Sequence, residues 1–221
     1  MKRIRWLAPG DSPSGFPDVS DALDDPAGLL AGGGDLSPER LIEAYRRGIF
    51  PWYSSGQPVL WWSPDPREVL FPAEFHVSRS LRRHLRRASY RITENVAFRE
   101  VVHACAEPRT GQPGAVTGTW ITPEMKSAYC ELRDLGVAHS IEVWSGETLV
   151  GGLYGVRSGA VFSGESMFSR ESNASKAALA WLAGVAPDRG IRLIDCQMPT
   201  AHLRSLGSRP LPRTQFLEWL N

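Results

Sequence analysis

A chain of 221 residues with 42% hydrophobic and 22% charged residues can bury a sizeable core, and this composition excludes a disordered chain. Its formal net charge of +1 excludes a general polycation, so a nucleic-acid surface would have to come from local segregation of charge. Cys105, Cys130 and Cys196 form no CxxC pair, the five histidines have no metal-ligand spacing, and no apolar run approaches the ~18 residues of a membrane helix. Lys2, Arg3 and Arg5 precede too short and broken an apolar stretch for a signal peptide. A soluble, cytoplasmic protein with reduced thiols, no metal and no membrane segment is expected.

In chain order, residues 6–34 hold four prolines and end in Gly32-Gly33-Gly34, which reads as an irregular arm closing on a flexible hinge. A helix is predicted from the N-cap Ser37 and Pro38 to Gly48, with Leu41, Ile42, Tyr45 and Ile49 as its apolar stripe. Trp52, Trp61 and Trp62 crowd into eleven residues framed by prolines. Pro64 and Pro66 end any strand there, so domains are expected at 1–65 and 66–221. Residues 78–88 spell a short helix that turns Leu81, Leu85 and Ala88 one way and covers the rest with arginine. Another helix follows Asn95, and 107–119 reads as a loop. Thr122, Pro123 and Gly136 bound a helix with Met125, Tyr129 and Leu132 on its core face. Residues 139–144 alternate as a strand, and 149–156 pairs with 160–163 as a hairpin. Residues 173–185 form a helix, and 191–195 form a short buried strand. The class implied is α+β, a sheet with helices packed on it.

Three features carry candidate chemistry. Arg79, Arg82, Arg83, Arg86 and Arg87 put five like charges in nine residues, and no acid relieves them between Phe75 and Glu94. Such a face suits phosphates, although a solvated helix face would read the same way. Trp52 and Trp120 stand at element ends, where a flat ring can stack on a base or fill a junction; Trp61 and Trp62 are read as junction filling. Glu165 and Asp195, the latter followed by Gln197, each lie just beyond an apolar strand. Acids so placed are candidates for proton chemistry, or for capping and loop bonds.

The blocks GGDLSPERLIEAYRRGIFPWY (33–53), LWWSPDPREVLFP (60–72), FHVSRSLRR (75–83), GTWITPEM (118–125), HSIEVW (139–144), LVGGLYGV (149–156), GESMFSRESNASKAAL (164–179) and LIDCQ (193–197) occur in one order. In these the chain resembles the leucyl/phenylalanyl-tRNA–protein transferases, the aminoacyl transferases of the N-degron pathway. The resemblance implies a small N-terminal α/β domain followed by a catalytic domain related to the GCN5-type N-acetyltransferases. It implies transfer of Leu, Phe and, less readily, Met from aminoacyl-tRNA to proteins beginning with Arg or Lys, which marks them for degradation. It places Asp195 and Gln197 at the acceptor amine, Glu165 as an active-site acid, and Trp52 and Trp120 near the terminal adenosine. Leu153, Phe162, Met167 and Leu182 fall on the positions that line the amino-acid side-chain pocket. Leu153 and Leu182 stand where some relatives carry Met or Phe, and Ala186 stands where a larger aromatic is sometimes found, leaving space.

An aminoacyl ester is already activated, so no cofactor is expected. An α-amine of pKa near ~7.7–8.0 needs mainly to be aligned with the ester carbonyl. Asp195 is expected to orient that amine with Gln197, either as a general base that takes its proton or as an orienter alone, the arginine helix to hold tRNA phosphates, and the protein to act as a monomer. Two rivals remain. An acetyl-CoA N-acetyltransferase would use the pattern Arg133-Asp134-Leu135-Gly136-Val137-Ala138, which here ends a helix rather than opening one. A non-catalytic tRNA-binding protein would give Glu165, Asp195 and Gln197 no reason to cluster.

Overall fold

The computed structural model describes residues 2–107 and 119–220, so the loop expected at 107–119 lies, apart from its ends, outside the described residues. Strands β1 (Arg5–Leu7) and β2 (Leu29–Gly33), helix α1 (Pro38–Arg46) and strands β3 (Phe50–Pro51) and β4 (Leu60–Trp62) come first. The four strands pair in the order β1-β2-β4-β3.

The expectation of an irregular arm over 6–34 is corrected here. β1 pairs parallel with β2, from Arg5 opposite Ala31 to Leu7 opposite Gly33. A three-residue strand separated from its partner by a proline-rich stretch leaves little periodicity to read. The glycine triplet is no hinge either. Gly33 has φ +79°, and a Cβ there would stand 2.5 Å from the Leu7 carbonyl oxygen. The glycine permits close backbone approach.

The remaining elements are β5 (Arg67–Leu70), α2 (Arg79–Arg87), β6 (Arg91–Glu94), α3 (Phe98–Cys105), α4 (Pro123–Asp134), β7 (Ala138–Ser145), β8 (Thr148–Ser158), β9 (Val161–Ser169), α5 (Ala174–Val185), β10 (Leu193–Gln197), α6 (Ala201–Arg204), β11 (Arg209–Leu211) and α7 (Arg213–Leu217). Their strands form one sheet in the order β11-β5-β10-β9-β8-β7-β6, in which only the β9–β10 pair is parallel. The fold is α+β, as expected. β5, β6 and β11, which the sequence did not announce, extend the sheet at both edges.

Side-chain caps start three of the helices, α2, α4 and α6, whereas the expected cap Ser37 makes no side-chain bond to α1. The Thr122 hydroxyl accepts the Met125 N–H of α4, and the Ser78 hydroxyl accepts the Leu81 N–H of α2. Alternation along β8 and β9 sends neighbouring side chains to opposite faces. Tyr154 joins a core with Tyr45 of α1, Val101 of α3 and Tyr129 of α4, and Phe168 packs against it. Leu153 and Phe162 join a second core with Ala178 and Leu182 of α5, and Met167 packs there. Leu7 and Trp61 of the small sheet belong to the first of these cores. The two sheets therefore share buried surface.

Candidate active site

The site lies where β9 parts from β10. Their pairing runs from Leu193 opposite Val161 to Asp195 opposite Ser163, while β9 continues beside β8 to Ser169. Both strands are bulged at this point. Tyr154 faces Ser166 and Gly155 faces Gly164, which makes Glu165 the extra residue on β9. Cys196 is the extra residue on β10 opposite β5. Bulges re-aim side chains. Gln197, just past the second bulge, holds a left-handed backbone with φ +55°. Glu165 thus sits within a strand, at its bulge, rather than just beyond one as the sequence suggested.

Asp195 is fully buried. Its Oδ1 accepts from Arg67 Nε at 2.7 Å and from the Gln197 N–H at 2.9 Å. Its Oδ2 accepts from Arg67 Nη2 at 2.8 Å and from the Ser163 hydroxyl at 2.9 Å. A carboxylate has about four lone-pair sites, and these four donors use them. Arg67 is held in turn by the Gly48 carbonyl at 3.2 Å and lies over the rings of Phe50 and Phe216. The expected contact between this carboxylate and an acceptor amine has no free lone pair here. Asp195 instead fixes the backbone N–H of Gln197.

Glu165 is the other kind of acid. The Tyr129 hydroxyl donates to its Oε2 at 2.7 Å, and Gln197 Nε2 donates to its Oε1 at 3.1 Å. The Tyr45 and Tyr129 hydroxyls are 2.7 Å apart. Burial pushes the Glu165 carboxyl up to about 7; the tyrosine hydroxyls pull it down, the Asp195 charge adds to the rise, and Arg67 opposes it. Burial also holds the Tyr45 and Tyr129 hydroxyls well above their usual range, so they serve as donors. The Cys196 thiol is pushed far up by burial, which removes it as a nucleophile at neutral pH.

A cavity of about 1270 Å³ opens at this split. Glu165, Asp195 and Gln197 line it, together with all four expected apolar residues, Leu153, Phe162, Met167 and Leu182. Leu179 and Ile194 extend the apolar wall. Gly155 seats the Phe162 ring, since a Cβ there would come within 2.6 Å of it. Ala186 is buried beside this wall but does not line the cavity, so the extra space expected there is not found. Trp52 and Trp120 line the same cavity, and Trp52 is 41% exposed. The Trp62 indole donates to the Trp52 carbonyl at 2.7 Å, and the two rings lie 5.5 Å apart.

Arg79, Arg82, Arg83, Arg86 and Arg87 are all exposed on α2, outside the cavity lining, and none is in an ion pair among the described residues. Sequence reasoning missed Arg67 and the second role of Tyr45 and Tyr129. An arginine set against the apolar run Val69-Leu70-Phe71 was the available signal for the first. The two tyrosines were read as core-face residues, which they are, but periodicity says nothing of where a hydroxyl points. The pattern from Arg133 to Ala138 leaves α4 and enters β7, so it offers no helix N-terminus to a pyrophosphate.

A family model described as leucyl/phenylalanyl-tRNA protein transferase matches residues 69–221, and the model of its N-terminal domain matches residues 34–65. The chain is 55% identical over 217 residues to the leucyl/phenylalanyl-tRNA–protein transferase of Stutzerimonas stutzeri, covering 98% of this chain and 93% of that one. Identity to the protein of the same description from Azotobacter vinelandii is 58% over 205 residues, covering 93% and 89%. Among solved structures, a GCN5-related N-acetyltransferase from Kribbella flavida aligns with a TM-score of 0.42 at 12% identity, over 75% of this chain and 58% of that one.

Proposed function

We propose roles for these residues from a settled premise: the chain belongs to the leucyl/phenylalanyl-tRNA protein transferase family and transfers Leu and Phe from aminoacyl-tRNA to proteins. The observation that carries the roles is the meeting, in one cavity, of an apolar wall from the α5 side with the desolvated Glu165 carboxyl from the α4 side.

The Leu or Phe side chain of the ester enters the wall formed by Leu153, Phe162, Met167 and Leu182, which offers it no polar partner. Such a wall separates side chains that differ by a methylene by only ~1–3 kcal/mol, so Met is accepted less readily but not refused. The terminal adenosine lies against Trp52 and Trp120, where base stacking is worth roughly 1–3 kcal/mol. The arginines of α2 neutralise tRNA phosphates without reading sequence.

The α-amine of the acceptor attacks the ester carbonyl. A C–N bond forms, the bond to the ribose oxygen breaks, the amine gives up a proton and the ribose hydroxyl receives one. Gln197, with its amide N–H turned to Glu165 and its backbone fixed by Asp195, presents a carbonyl oxygen to orient the amine. Glu165 takes the proton; a carboxyl poised near 7 suits that task at neutral pH. Asp195 acts through Gln197 and is a positioning residue.

Acceptors that begin with Arg or Lys suit a cavity lined by Glu165, a carboxyl in no ion pair among the described residues, and the product carries a bulky apolar N-terminus that marks it for degradation. We place the protein in the cytoplasm, acting as a monomer through two domains, 1–65 and 66–221. The test mixes charged Leu-tRNA, Phe-tRNA and Val-tRNA with peptides starting in Arg, Lys or Ala and follows peptide mass. Addition of Leu and Phe to Arg and Lys peptides alone is expected; equal transfer of Val, or to Ala peptides, would overturn these preferences.

A further inference from the structure

The α2 arginines do not line the cavity, so they leave open what receives the phosphate nearest the reacting ester. A 3′-terminal adenosine seated at Trp52 and Trp120 carries a 5′-phosphodiester one ribose away from the acyl group. That charge has to lie at or near the cavity, where a guanidinium would hold it by charge-assisted hydrogen bonds.

Among the described residues, Arg170 is the only arginine or lysine that lines the cavity. It follows the end of β9, five residues beyond Glu165, and its side chain is 46% exposed. Its guanidinium is held from three directions. Nη2 donates to Glu107 Oε1 at 2.8 Å, Nη1 donates to the Leu149 carbonyl at 3.2 Å, and the group lies over the Phe168 ring with its carbon 5.4 Å from the centroid. Its backbone N–H is fixed as well, donating to the Val150 carbonyl at 2.7 Å. A guanidinium has five N–H donors, and two are used among the described residues. The fork is therefore pre-oriented on the cavity wall with donors to spare, a geometry that matches two oxygens of a phosphate. Glu107, which also lines the cavity, supplies orientation but competes for the same charge.

We propose that Arg170 receives the 5′-phosphodiester of the substrate's terminal adenosine, and that Glu107 holds the guanidinium in place for it. This rests on the reading of Trp52 and Trp120 as the adenosine platform. The phosphate contact then does two things the α2 arginines cannot. It fixes the ribose, and through it the ester carbonyl, relative to Gln197. It also distinguishes a nucleotide end from a free nucleoside.

The test compares two minimal donors, 3′-O-leucyl-adenosine and the same compound bearing a 5′-phosphate, as KM ratios in transfer to an Arg-starting peptide. In the native protein the phosphate lowers KM about five- to tenfold, and this advantage shrinks with added salt. In Arg170→Gln the ratio falls to near one; in Arg170→Lys, which keeps the charge but not the fork, an intermediate ratio remains. Glu107→Gln keeps a carbonyl oxygen to hold the guanidinium but removes the competing charge, so it raises the ratio. A phosphate advantage that persists in Arg170→Gln, or a fall in Glu107→Gln, overturns the proposal. The adenosine reading fails separately: Trp52→Ala would then leave KM for the phosphate-free donor unchanged.

Discussion

At the end of β10, Asp195 meets a guanidinium, a hydroxyl and a backbone N–H; at the neighbouring bulge of β9, Glu165 meets tyrosine hydroxyls and an amide. Both carboxylates belong to one cavity wall, and burial desolvates both. The difference lies in the partners. A guanidinium in bidentate contact, a hydroxyl and a backbone N–H leave Asp195 with no acceptor site to spare. Neutral donors leave Glu165 able to gain and lose a proton near neutrality. An acid's role follows from what faces it more than from how deeply it lies.

Breaking the Glu165 side of this contrast has the largest expected effect. Glu165→Gln keeps the size and a hydrogen-bonding oxygen but cannot take a proton, so single-turnover transfer should slow by about 10²- to 10⁴-fold. The same change should help the fold. Glu165 titrates higher folded than unfolded, so its linked contribution is full below about 4.5 and is lost as pH rises toward about 7. Glu165→Gln should therefore raise the melting temperature at pH 8 more than at pH 5; equal gains would separate Glu165 from that titration.

Breaking the Asp195 side should cost the fold as well as the rate. Asp195→Asn leaves the buried Arg67 guanidinium without its charge partner, a loss of about 3–5 kcal/mol. The urea midpoint would fall with it, and an unchanged midpoint would show that Arg67 has another counter-ion. A smaller effect tests the apolar wall. Leu182→Phe narrows the pocket, so Phe transfer should fall about tenfold more than Leu transfer in a competition assay. Arg82→Ala with Arg83→Ala is expected to be mildest, a few-fold rise in KM for Leu-tRNA and a salt slope shallower by about 1 per arginine. A salt slope equal to the native one would move the tRNA body elsewhere.

The central strand–hairpin–helix–strand order was legible because its apolar periods are long: Thr122 and Pro123 opened α4 where expected, and β7, β8 and β10 follow their predicted spans within two residues, whereas β9 runs on to Ser169, six residues past its predicted end at 163. The short strands were not. β1 and β11 have three residues each, and β5 hides behind two prolines, so their pairing is decided by partners distant in the chain. At the site, the resemblance pointed to Leu153, Phe162, Met167 and Leu182 together, and all four line one cavity. It could not reveal that Arg67 would absorb Asp195, since that pair joins residues 128 positions apart. Nor could periodicity distinguish Tyr129 as a hydrogen-bond donor from Tyr129 as core.

The most direct measurement of the contrast between the two carboxylates is a ¹³C NMR titration of the Glu165 side chain, its signal assigned by its loss in Glu165→Gln. A midpoint near the value of about 7 set by burial is the expected result. A midpoint at the ordinary glutamate value of about 4.5 would contradict it, because burial would then not be holding the Glu165 carboxyl up.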